Sequence, residues 1–167
     1  MGQVTNGIAK VEFAPLGVDG TVGTVFAAVG LTNLDSASLA EEDGTTTDFN
    51  VEETDLPIFS RTAKGKTTLA FQVADPDLAA FAKLFGGTVT GTGATAVWDA
   101  PRTTFALEQS VKITPEVGFI ITIPRGKVMA KMNSGLGKNS LLMIDITVDI
   151  LLPTDEDTAP LIIGGVA

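Results

Sequence analysis

Apolar and polar residues alternate along most of this chain with a period of two, the pattern of strands with one buried face. Ala9, Val11 and Phe13 share one face, and Lys10 and Glu12 the other. Phe49, Val51 and Glu53 alternate with Asp48, Asn50 and Glu52; Leu69, Phe71 and Val73 alternate with Thr68, Ala70 and Gln72. Phe105, Leu107, Val111 and Ile113 predict a further strand with a bulge near Gln109 and Ser110. Phe119, Ile121 and Ile123 lead into Arg125 to Met132, and Leu141 to Leu152 is the longest strand candidate. Gly and Pro punctuate these runs. The expected fold is mainly β, a sandwich or barrel of antiparallel sheets.

One stretch breaks the alternation. Leu78, Phe81, Ala82 and Phe85 fall at helical spacing, which predicts a flanking helix over about 76–85. Asp75 is the expected cap and Pro76 the expected first helical residue. Gly86-Gly87 ends it.

Two regions read as irregular. An acidic loop is expected over about 30–58, because Asp35 to Asp55 holds eight acids and no base. A C-terminal arm is expected over about 153–167. Its apolar end Leu161, Ile162 and Ile163 is unfavourable in water, so it should dock on its own domain or on a neighbour. The 167 residues suit one domain.

Composition then narrows the chemistry. The chain has no His, Cys or Tyr, which removes Ser-His-Asp triads, Cys nucleophiles and zinc sites built on His or Cys. A formal net charge of −9 repels nucleic acid and anionic lipid over most of the surface. No basic and apolar leader opens the chain, and Asp145 and Asp149 interrupt its longest apolar run. The expectation is a soluble protein made in the cytoplasm, with no cofactor and no membrane binding of its own.

The remaining motifs favour structure over catalysis. Gly135 to Ser140 superficially resembles a phosphate-binding loop. Position 132 is Met where that motif needs Gly, and Asn139 follows Lys138 where it needs Ser or Thr. A hairpin turn is expected there. The clusters Glu41-Glu42-Asp43, Glu52-Glu53 with Asp55, and Asp155-Glu156-Asp157 lack calcium-loop spacing. Arg125, Lys127 and Lys131 share one strand face. Lys127 is expected near Asp145, with Asp149 on the same face, as cross-strand ion pairs. The competing expectation is that Glu41, Glu42, Asp43, Glu52 and Glu53 form an arm that touches these bases on a neighbouring subunit. No enzymatic activity is expected.

The order of elements resembles the major tail tube protein of long-tailed, siphovirus-type bacteriophages. The residues that carry the resemblance span most of the chain. Val11 to Gly17 precede a polar stretch with Asp48-Phe49-Asn50-Val51-Glu52, then Pro57 to Thr62 and the strand Thr67 to Val73. The helix ending Lys83-Leu84-Phe85-Gly86-Gly87-Thr88-Val89 follows, and Ile123 to Val128 lead to Ile144 to Val148.

The resemblance implies a structural virion protein whose hexameric rings stack into a hollow tube, a conduit for the genome. Implied partners are further copies of the chain, tape measure, tail tip and tail terminator proteins, and DNA in transit. Implied locations are the virion tail and, during assembly, the host cytoplasm. The alternatives from the same composition are a head–tail connector, a capsid decoration protein, or a carbohydrate-binding β-sandwich.

Overall fold

The longest strand, β10 (Phe119–Ser134), organises the molecule by changing partners along its length. Between Ile123 and Gly126, its residues Pro124 and Arg125 oppose the single Ser110 of β9 (Leu107–Thr114). Two residues against one is a β-bulge, which bends the strand carrying it and suits a proline that has no amide to donate. The irregularity thus falls at Ser110, where the sequence suggests it, but the extra residue is on β10 rather than on β9. Ser110 holds it in place: its hydroxyl donates to the Pro124 carbonyl at 2.6 Å and accepts the Gly23 amide at 2.8 Å.

The computed structural model describes residues 2–103, 105–135, 137–138 and 140–167. Before the bulge, β10 lies between β9 and β12 (Ile162–Val166); beyond it, β10 pairs with β11 (Leu142–Ile150). On the β9 side follow β1 (Lys10–Ala14) and β2 (Ala27–Ala28). On the β11 side follow β6 (Thr67–Val73) and β3 (Ser38–Glu41). Every pairing is antiparallel. The two halves close on one another as a sandwich. Val11, Phe13, Val111 and Ile123 of one half share the buried core with Leu69, Phe71, Val128, Ile144, Ile146 and Val148 of the other.

Helix α1 (Leu78–Phe85) covers the core with Ala80, Phe81 and Leu84. Its buried stripe is thus turned relative to the expected one, and Leu78 and Ala82 are only half-buried. Asp77, not Asp75, is the cap, with its carboxylate accepting the Ala80 amide at 2.6 Å. Pro76 consequently stands before the cap rather than inside the helix. Gly86 ends the helix at φ 75°, and the Trp98 indole N–H satisfies its carbonyl at 2.9 Å. Trp98 belongs to the hairpin of β7 (Thr88–Thr90) with β8 (Val97–Asp99). Its ring packs on Phe81 and Phe85.

The stretch expected to be a loop holds regular structure. It contains β3 and then β4 (Thr45–Phe49), which pairs with β5 (Phe59–Ala63). The expected strand beyond Phe49 is a turn at Glu52 and Glu53. Register runs unbroken through both pairs: Glu41 faces Thr67, the Glu42 amide donates to the Lys66 carbonyl at 2.9 Å, and Thr45 faces Ala63. The β3–β6 hairpin therefore continues outward as one ribbon. At its root a Cβ on Gly65 would run into the Glu42 carbonyl oxygen, so glycine is required there.

Candidate assembly surfaces

Backbone polarity shows where the sheet remains open. In an antiparallel ladder, successive residues turn their amide and carbonyl alternately toward and away from the partner. Because Glu42 donates to Lys66, Leu39 and Glu41 of β3 turn theirs away from β6. Among the described residues no strand lies on that outer side. Beyond the bulge, the Leu151 amide donates to the Arg125 carbonyl at 2.9 Å. Odd-numbered residues of β10 therefore face β11, and Ala130 and Met132 face the other way. β9 stops pairing at Val128, which leaves these two without a strand beside them among the described residues. The half-sheet β10–β11–β6–β3 thus has an open edge at each margin.

The face of this half-sheet turned away from the core is polar. Lys127, Met129 and Lys131 of β10 lie across from Asp149, Thr147 and Asp145 of β11, and Thr68, Ala70 and Gln72 of β6 come next. Lys127 therefore faces Asp149, and Lys131 faces Asp145; the expected Lys127–Asp145 neighbourhood is out by two pairs along this face. Neither base forms an ion pair with them. Asp149, 9% exposed at its side chain, is held by Lys66 at 2.7 Å. Asp145 accepts from the Gln72 and Asn133 side-chain amides at 2.8 and 2.9 Å. Arg125 is engaged at its own corner, donating to Glu108 at 2.8 and 2.9 Å and to the Leu152 carbonyl at 3.3 Å.

The ribbon formed by β4 and β5 stands clear of the body. All its strand residues are exposed. Phe49 and Phe59 pair across it with ring centroids 5.7 Å apart. Val51, Leu56 and Ile58 extend this apolar surface around the end, exposed between 37% and 76%. Glu52 and Glu53 sit at that end, whereas Glu41, Glu42 and Asp43 lie at the root. Glu41 reaches Lys64 at 3.5 Å. The five acids predicted to form one arm are therefore split between its two ends. The apolar residues at the far end carry a signal the sequence did offer: apolar side chains inside an acidic run.

The C-terminal segment docks on its own domain, as β12 beside Phe119 to Thr122. Leu161 packs partly against the core, but Ile162 and Ile163 remain exposed.

Other sequence candidates are placed more simply. The predicted hairpin turn joins β10 to β11, its last described pair being Ser134 with Leu142; Leu136 and Asn139 lie outside the described residues. No group of three acids among the described residues could hold a metal ion. Lys83 of α1 lies half-buried with its ammonium 5.8 Å from the Phe13 ring centroid, and burial pushes its pKa down. Neither a family model nor a curated protein matches the chain.

Proposed function

We propose that this chain is the subunit of a bacteriophage tail tube, six copies closing into a ring and rings stacking into a conduit for the genome. The observation that carries the reading is the pair of open edges on one four-stranded half-sheet. An exposed edge invites pairing with another chain. Here each copy offers the β3 edge at one margin and the Ala130–Met132 edge at the other. Joining unlike edges is a head-to-tail contact, which closes into a ring when the rotation between copies permits.

Surface chemistry supports the same reading. A net charge of −9 disfavours lasting contact with DNA phosphates, and the half-sheet offers a polar wall to a lumen. Glu41 and Lys131 lie on the two strands that join. Glu42, Asp43, Glu52 and Glu53, with the exposed Ile162 and Ile163 beside Leu161, contact neighbouring copies. Lys127 completes the basic side, whereas Arg125 is compensated by Glu108 within its own subunit. Tape measure, tip and terminator proteins bind the ends of the stack in the virion tail. The carbohydrate-binding reading is disfavoured because the ring of Trp98, the chain's one tryptophan, is spent on α1.

Electron microscopy of the concentrated protein tests the proposal. Rings or hollow tubes are expected. Discrete particles at every concentration favour a capsid decoration protein instead.

A further inference from the structure

The half-sheet has two unlike ends. β11 faces β6 from Ile144–Val73 to Asp149–Thr68, so the ribbon beyond Lys66 leaves beside the end of β11. The β10–β11 hairpin closes the opposite end. From Glu42 to Phe49 the ribbon advances about 23 Å at the usual rise per residue.

The far end of the ribbon, residues 48–59, carries Asp48, Glu52, Glu53 and Asp55 and no base. It also exposes Phe49, Val51, Leu56, Ile58 and Phe59. A two-stranded ribbon is marginal in water without something to pack against, and an exposed apolar patch of this kind marks a contact surface. At the opposite end, residues 131–142 carry Lys131 and Lys138; Asp145 lies across from Lys131, which leaves the end with a net positive charge. Met132, Leu141 and Leu142 are exposed there. One end is apolar and acidic; the other is apolar and basic.

We infer that the end of the β4–β5 ribbon docks on the β10–β11 hairpin end of a second copy, so that subunits join end to end along the strand direction. Apolar contact supplies the adhesion, and the opposed charges set orientation and register. Because the two surfaces differ and lie at opposite ends, the contact repeats without closing and generates a filament. The inference rests on the tube reading and names the surfaces through which one ring meets the next.

The chain has no cysteine, so single thiols report the contact cleanly. Ile58→Cys and Leu141→Cys variants are purified separately, one carrying a mass tag, then mixed and oxidised. The expected result is disulfide-linked pairs of unlike variants, several-fold in excess of like pairs. Glu52→Lys with Glu53→Lys should abolish them, and Lys131→Glu with Lys138→Glu on the partner variant should restore them. Rings or tubes without unlike cross-links overturn this inference and leave the tube reading standing. Unlike cross-links in linear chains that never form rings sustain the inference and overturn that reading. Absence of unlike cross-links at every concentration, or failure of the reversed charges to restore them, overturns the inference.

Discussion

The rings of Phe13 and Phe71 meet edge to face, centroids 6.2 Å apart at 78°. Their strands, β1 and β6, are separated by β9, β10 and β11 in the sheet. Four strand spacings would set them about 19 Å apart if the sheet were flat. The contact exists because β10 bends at Pro124, bringing the two halves face to face. Both rings are almost fully buried.

Replacing Phe13 or Phe71 by Ala should each destabilise the fold by about 3–5 kcal/mol, from lost burial and the cavity left behind. A double-mutant cycle in denaturant should show about 0.5–1.5 kcal/mol of coupling between them. Additive losses would mean that the halves do not meet there in solution.

Ser110→Ala tests the bend. The change strands the Gly23 amide and the Pro124 carbonyl that the buried hydroxyl joins. An unsatisfied buried group costs about 1–3 kcal/mol, so chemical denaturation should show a loss of about 2–3 kcal/mol. A neutral result would contradict the bridging role.

These elements were legible in the sequence to different degrees. Strands such as Leu69-Phe71-Val73 announce themselves because one face is buried and the other wet. The ribbon strand Thr45–Phe49 does not: both of its faces are exposed, so no alternation in burial shapes its composition, and its Thr and Asp read as loop. Asp75 and Asp77 are equally good caps by type, and Pro76 between them favours the wrong one. Pro124 inside an apolar run was a usable sign of the bulge. The open edges were not legible, because an edge depends on which strands pair and where pairing stops. Glu41 and Lys131 could be picked out as charged residues, but not as members of opposite margins of one half-sheet.

Gly65→Ala should loosen the ribbon and spare the body. Its Cβ has no room beside the Glu42 carbonyl, while the buried core lies elsewhere. Limited proteolysis should cut between residues 44 and 64 faster than in the unmodified protein, with the cooperative melt little changed. Equal cutting rates would contradict the tight root.

Lys83 gives a pH signature. Burial lowers its pKa in the folded protein, so between the folded and unfolded values the unfolded chain binds more protons. Stability from this group therefore rises with pH through that alkaline window. Lys83→Met removes the rise. The Tm difference between Lys83→Met and the parent should shrink as pH climbs toward the ordinary lysine value. A difference independent of pH would contradict the burial of the ammonium.

Sedimentation of a proline variant reports on edge-to-edge closure between subunits. The Glu41 amide points away from β6, so Glu41→Pro removes an outward donor while sparing the ladder within the subunit. Glu41→Ala controls for the lost carboxylate and its contact with Lys64. At concentrations where the parent protein and Glu41→Ala sediment as hexameric rings or larger stacks, Glu41→Pro should remain a folded monomer of 17.2 kDa. Normal assembly of Glu41→Pro, or a parent protein that stays monomeric at every concentration, would rule out closure through the β3 edge.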